Sequence, residues 1–311
     1  MASGALSSFH PEAVPGFPAG STAVVRVAWS PLRREPSHRS EMVNQVVLGE
    51  LVRVGEDSAV QGWVEVTAAD GYPGHVNTGA LVAVTDDDAS RWAKLADGFS
   101  LGLRLESASD APGDSERGLG SARDQGPTRV GPAPWGARLP APLDGGTVLP
   151  DGRRVIVADG TGRLLAPAER RERYPADPGS ASRTALTWMG SPYVWGGRIR
   201  SGTDCSGLVQ SVFALHGIPL PRDSRQQAEV GQGTVAVDEA VSEPWKSALP
   251  GDLLFFAWGG RPISHVGICL GDGEMVHSSE TRGGVAVDGL GRGEFGRRLA
   301  DGYAGAVRPG G

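Results

Sequence analysis

Between residues 22 and 85 the apolar positions come in short, β-branched runs broken by turn formers. Val24-Val25-Arg26-Val27, the stretch from Val46 to Val54, Gly62-Trp63-Val64-Glu65-Val66 and Gly74-His75-Val76 are separated by Gly55-Glu56-Asp57 and Asp70-Gly71. Short strands at this spacing predict a small barrel, preceded by an N-terminal tail over residues 1–21. Helical character follows around Arg91-Trp92-Ala93-Lys94-Leu95. β-like pieces return at Gly146-Thr147-Val148-Leu149 and Arg153-Arg154-Val155-Ile156-Val157, around an Asp151-Gly152 turn. Between these, residues 107–134 are rich in Gly, Pro, Ser and charge and hold almost no large apolar side chain. Such a segment buries too little surface to offset its ordering entropy, so a long loop is expected. Residues 86–170 thus read as a linker with room for a second, degenerate barrel.

The pattern changes after a charged connector from Arg170 to Pro178. Ala181 to Met189 predicts a short helix ending at Gly190. From Cys205 to His216, Leu208, Val212 and Leu215 share one helical stripe with Val209 and Phe213 beside it. Gly217 is a natural cap for that helix and Pro219 a stop. Strands are expected at Asp252–Trp258, His265–Leu270, Glu274–Ser278, Gly284–Val287 and Ala304–Val307. Helices first and strands after predict an α+β domain with an antiparallel sheet over residues 180–311.

A chain of 311 residues is long enough for two or three such domains, and 47 Gly and 23 Pro agree with many turns and short strands. The net charge of −6 offers no reason to expect nucleic acid or an anionic membrane as partner. No stretch approaches the roughly 20 apolar residues of a membrane span. The first twenty residues lack a cationic start followed by an apolar core, so a cytoplasmic location is expected, with secretion as the alternative. Two cysteines are too few for a disulfide framework, and no His, Cys and carboxylate cluster has metal-ligand spacing. No metal and no cofactor are expected.

Chemistry concentrates in three places. Cys205 lies in Thr203-Asp204-Cys205-Ser206-Gly207-Leu208, His265 opens Ser264-His265-Val266-Gly267-Ile268-Cys269-Leu270, and His277 lies in Met275-Val276-His277-Ser278-Ser279. A thiol at a helix start is helped by unpaired backbone N–H groups and the macrodipole. An imidazole can take its proton and a third polar group can orient the imidazole, which makes His265 the expected base and His277 the orienter. Taken alone, Cys205 is equally a small buried hydrophobe, and Cys269 is read as one. The two histidines face one site only if odd positions oppose odd positions across their hairpin. That requires an odd loop, such as Gly271-Asp272-Gly273, or a two-residue loop corrected by a bulge.

Pro192-Tyr193-Val194-Trp195-Gly196-Gly197, Thr203-Asp204-Cys205-Ser206-Gly207, Pro250-Gly251-Asp252-Leu253, His265-Val266-Gly267-Ile268 and His277 occur in the order that characterises NlpC/P60 cysteine peptidases. The resemblance covers roughly residues 180–308. It implies a papain-like α+β fold, cleavage of peptidoglycan peptides between γ-D-glutamate and a diamino acid, Cys205 as nucleophile, His265 as base and His277 as orienter. It also implies that Tyr193 lines the site and helps stabilise the oxyanion.

Leu48-Gly49-Glu50, Gly62-Trp63-Val64-Glu65-Val66 and Asp70-Gly71-Tyr72-Pro73-Gly74 resemble bacterial SH3-like domains, so one or two such barrels are expected ahead of the catalytic domain. Pro221-Arg222-Asp223-Ser224-Arg225-Gln226-Gln227 is similar to a segment of NlpC/P60 enzymes that carry SH3-like domains in front. In those enzymes the corresponding residues, here Asp223, Ser224, Ser206 and Tyr72, hold the free amine of an N-terminal L-alanine. Asp223-Ser224 also reads as an ordinary helix N-cap. An SH3-like glutamate contributes in the family, with Glu41 and Glu50 both candidates. His75 departs from the family pattern, which has Trp or Tyr there.

The resulting expectation is a γ-D-glutamyl-L-diamino-acid endopeptidase of muropeptide recycling, acting on L-Ala-γ-D-Glu-diamino acid peptides, with the SH3-like domain closing one end of its cleft. A secreted hydrolase of intact wall, a catalytically inert wall-binding module, and an amidase or acyltransferase on the same fold are the competing readings.

Overall fold

The computed structural model describes residues 9, 11–12, 14–56, 60, 62–107, 132–141, 146–157, 162–235 and 242–310. The chain divides into two compact units. One gathers residues 1–41, 46–69 and 73–167; the other gathers 168–311 with two short stretches, 42–45 and 70–72.

Seven strands follow one another over residues 22–84: β1 (Thr22–Val25), β2 (Trp29–Arg33), β3 (Met42–Val47), β4 (Leu51–Val54), β5 (Trp63–Thr67), β6 (Pro73–Asn77) and β7 (Leu81–Val84). They form one sheet in the order β3-β2-β6-β5-β4-β1-β7. Helix α1 (Asp86–Leu95) is N-capped by Thr85, whose side chain accepts from the Asp88 N–H. A second sheet holds β8 (Gly98–Ser107), β9 (Pro132–Leu139), β10 (Gly146–Val148), β11 (Arg154–Val157) and β12 (Leu164–Leu165). Its order is β10-β11-β8-β12, with β9 also on β8. This sheet occupies the place where a second degenerate barrel was expected, but it is built on β8 and β9, which the sequence pattern did not announce. Ser107 closes β8 and residues 132–134 open β9, while residues 108–131 of the expected loop lie outside the described residues.

Trp92 on α1 anchors the core of this unit. It is fully buried, donates its indole N–H to the Gly49 carbonyl at 2.8 Å, and packs among Val24, Leu48, Leu103 and Leu139. Phe9 is fully buried against it, with ring centroids 5.0 Å apart. The expected N-terminal tail is therefore pinned at Phe9, because an aromatic ring gains more by burial than the short segment loses by ordering.

After this sheet come α2 (Pro167–Arg173), where a plain connector was expected, and α3 (Pro178–Leu186), capped by Asp177. A two-stranded ribbon, β13 (Arg198–Ile199) and β14 (Gly202–Thr203), leads into α4 (Cys205–Leu215). Next come α5 (Ser224–Gln227), β15 (Gln232–Val235), β16 (Leu253–Phe256), β17 (His265–Gly271), β18 (Glu274–Ser279), β19 (Gly284–Gly289), α6 (Gly293–Asp301) and β20 (Tyr303–Arg308). The six strands form one antiparallel sheet in the order β15-β20-β16-β17-β18-β19. This is the expected α+β architecture, with β15 and α6 added.

Helix α4 is buried on nearly every side, not along one stripe: each residue from Cys205 to Phe213 and Leu215 is inside. Gly207, in its first turn, lies so close to the Gly197 carbonyl that a Cβ would overlap it. Gly207→Ala is therefore expected to push α4 off the Gly196-Gly197 turn and cost about 1–3 kcal/mol, read as a lowered Tm.

Candidate active site

The thiol sits at the first position of α4, and its position is set by the residue before it. Asp204 is the N-cap: its Oδ1 accepts from the Gly207 N–H at 2.7 Å and its Oδ2 from the Gly196 N–H at 2.8 Å. Arg222 then grips the same carboxylate in a fork, Nη1 to Oδ1 at 3.0 Å and Nη2 to Oδ2 at 2.6 Å. Both partners are buried, Arg222 2% and Asp204 6% exposed. The Arg222 Nε donates to Asn44 Oδ1 at 3.0 Å and Nη1 also to Ser206 Oγ at 2.8 Å. Burying a charge pair is tolerable only with this degree of hydrogen bonding.

The two histidines come from adjacent strands. Ile268 pairs with Val276, Cys269 with Met275 and Gly271 with Glu274, with a register shift between Cys269 and Gly271. The connecting loop is the two-residue Asp272-Gly273, both at positive φ, and Leu270 is the extra residue. The three-residue loop suggested by the sequence is replaced by its alternative, a short turn with a bulge that restores the parity. His265 Nε2 and His277 Nδ1 then lie 2.6 Å apart. Gly267 leaves the space for this, since a Cβ there would meet the Met275 sulfur and lie 3.3 Å from the His277 Cβ.

The sequence offered no reason to single out the next two residues. His277 Nε2 lies 3.0 Å from Asp288 Oδ2, and Asp288 in turn accepts from Arg282 Nε at 3.0 Å and from Arg282 Nη2. Asp288 lies one residue beyond the run Gly284–Val287 that reads as a strand, and only the pairing of His277 with Ala286 shows that it shares a face with the histidines. Asp204 and Arg222 were visible within motifs, but not as partners.

Cys205, His265 and Tyr193 line one cleft of about 220 Å³ with Trp195, Trp258 and Glu280. Burial, reinforced by the Asp204 charge, pushes the Cys205 thiol up to about 12 despite opposing help from the Val266 and Ser206 N–H groups and Arg222. The expected benefit of the helix start is thus outweighed by desolvation. Burial and then the neighbouring His277 press His265 down to about 3, so it is neutral. Burial raises the Tyr193 phenol, as do the Cys205 and Asp204 charges, so its hydroxyl keeps its proton. Cys269 is a free, buried thiol on β17.

The remaining residues singled out by the sequence fall into two groups. Tyr72, which belongs to this unit, donates its hydroxyl to Asp223 Oδ2 at 3.2 Å. Asp223 is also the N-cap of α5, with Gln226 Oε1 accepting from its N–H at 3.3 Å, and Ser224 follows as the first helical residue. Ser206 Oγ accepts from Arg222 Nη1 at 2.8 Å and donates to Asp204 Oδ1 at 3.3 Å. In the first unit, Glu50 accepts from the Val47 and Ala69 N–H groups, Glu41 pairs with Arg34, and His75 Nδ1 lies 3.2 Å from the Arg34 carbonyl.

Residues 190–301 match the NlpC/P60 family, and residues 32–81 match the bacterial dipeptidyl-peptidase Sh3 domain. The chain carries an NlpC/P60 domain. Among its relatives, a γ-D-glutamyl-L-lysine dipeptidyl-peptidase of Bacillus subtilis is 39% identical over 34% of this chain, and one of Bacillus cereus is 32% identical over 45%. The matches span 33% and 39% of those proteins' own lengths. In fold, the chain is similar to an NlpC/P60 family protein from Bacillus cereus, with a TM-score of 0.69 and 22% identity, covering 93% of this chain and 99% of that one. Among the described residues no helix is long and apolar enough to cross a membrane, and no group of three or more His, Cys, Asp and Glu is arranged to hold a metal ion.

Two predictions concern the stability of the NlpC/P60 domain. Arg222→Met strands a buried carboxylate and is expected to cost about 3–5 kcal/mol, measured by denaturant unfolding. The second follows from His265. The unfolded chain takes up a proton below the ordinary imidazole value of 6.5, while the folded one resists until about 3. Stability is therefore lost as pH falls through this window, by at most about 1.4 kcal/mol per pH unit for one proton. His265→Gln should flatten that part of the Tm-against-pH curve.

Proposed function

We propose that the NlpC/P60 domain is a cysteine peptidase that hydrolyses the γ-D-glutamyl–L-diamino acid bond of peptidoglycan-derived peptides with a free N-terminal L-alanine. The observation that carries the reading is the cleft in which Cys205, His265 and Tyr193 meet, with His277 bonded behind His265. In this reading the neutral thiol gives its proton to His265 as sulfur attacks the γ-carbonyl carbon, and the Tyr193 hydroxyl donates to the oxyanion. His265 returns the proton to the leaving amine, leaving a thioester that water hydrolyses with His265 again as base.

Amine recognition is assigned to Asp223, Tyr72, Ser224 and Ser206. The Asp223 carboxylate already accepts from Tyr72 and has lone pairs left for an ammonium, a charge-assisted contact. A second cavity of about 700 Å³ shares Trp258, Ser264 and Arg298 with the cleft and adds Arg225 and Arg261. Its cationic lining suits a peptide that carries carboxylates on both sides of the scissile bond. A free L-alanyl amine exists only after the peptide has been cut from the glycan, so the proposed substrate is a trimmed peptide and the cytoplasmic placement belongs to the same proposal.

The test is product analysis by mass spectrometry on L-Ala-γ-D-Glu-diamino acid and its N-acetylated counterpart. Cleavage of the free-amine peptide alone, absent in Cys205→Ala, is the expected result. Asp223→Asn should lower kcat/KM on that peptide by about 10- to 100-fold. Equal cleavage of both peptides would remove the amine requirement and favour a hydrolase of intact wall. No cleavage of either would overturn the peptidase reading.

A further inference from the structure

We propose that Asp288, held in place by Arg282, is a positioning residue that fixes the tautomers of His277 and His265. The inference rests on the reading of Cys205 and His265 as nucleophile and base. It is carried by one unbroken series of hydrogen bonds: His265 Nε2 to His277 Nδ1 at 2.6 Å, His277 Nε2 to Asp288 Oδ2 at 3.0 Å, and Arg282 Nε to the same oxygen at 3.0 Å.

Each bond between the rings holds one proton, so its direction is decided from the far end. An ionised carboxylate has no proton to give. Burial alone would raise the Asp288 carboxyl, but its hydrogen bonds to His277 and Arg282 hold it near 2, so it is ionised and His277 Nε2 must be the donor. A neutral His277 then presents a bare Nδ1, which can only accept, and His265 must carry its proton on Nε2. His265 Nδ1 is left bare on a ring that lines the same cleft as the Cys205 thiol. Reversing the first bond would reverse the others and put a proton on Nδ1, where the base has to be.

Arg282 holds the carboxylate that His277 faces. His277 is fully buried, and the Asp288 carboxylate is already engaged by the guanidinium through both of its oxygens. The same guanidinium lies over the Phe295 ring at 4.5 Å, and that ring packs 6.2 Å from His277. Glu280 and Arg298 are the other charged groups lining the cleft, and none of the described hydrogen bonds joins either to an imidazole.

Asp288→Asn distinguishes this role from a structural one. Arg282 would claim the amide oxygen and turn the amide N–H toward His277 Nε2, inverting the series. Two readouts need no peptide substrate. In ¹⁵N NMR of histidine-labelled protein, His265 should be protonated on Nε2 in the parent chain and on Nδ1 in the variant. Alkylation of Cys205 by iodoacetamide, followed by peptide mapping, should slow by about 100-fold or more, the range of a lost general base. Asp288→Glu should recover most of the rate. An unchanged His265 tautomer in Asp288→Asn, or an alkylation rate within threefold of the parent, would overturn the proposal. Because neither readout uses a wall peptide, a failure of the proposed substrate leaves this test intact.

Discussion

The site depends on one buried ion pair. Asp204 performs three tasks with two oxygens: it caps α4, ties down the Gly196 turn, and receives the Arg222 fork. A carboxylate so placed would be intolerable in a dry interior without its guanidinium, and the guanidinium would be equally intolerable without Asn44, Ser206 and Asp204. The consequence is geometric. The first turn of α4, which carries Cys205, is held by charge-assisted bonds to segments far apart in the chain, so the thiol meets β17 in a single position.

That rigidity comes with a chemical consequence. The carboxylate that fixes the helix also sits beside the sulfur, and together with burial it disfavours a standing thiolate. The His265 imidazole is likewise kept neutral. A neutral thiol facing a neutral base cannot rely on a pre-formed ion pair; the proton has to move as the carbon–sulfur bond forms. Such a site places unusual weight on which nitrogen of His265 is bare, and hence on groups behind it that never reach the cleft.

Much of the arrangement was legible in the chain. The alternation at residues 22–85, the apolar face of Cys205–His216 and the strands from 252 onward follow from local patterning, and Cys205, His265 and His277 stood out by residue type and context. Less local features were not legible. β8 and β9 pair across a long separation in sequence, so neither has a local partner to betray it. Phe9 looks like one apolar residue in a tail until Trp92 is placed beside it. The parity of the histidine hairpin turned on a single bulged residue, Leu270, which no composition rule marks.

What the sequence determined by itself was the set of elements and the chemical types placed upon them, because strand alternation, helix stripes and caps are written within a few residues of one another. Tertiary structure alone decided which charges met. Asp204 finds Arg222 and His277 finds Asp288 only through the register of a folded sheet and the crossing of a loop over a helix. The balance of desolvation against those partners, and therefore the protonation of Cys205 and His265, exists only once water has been excluded from around them.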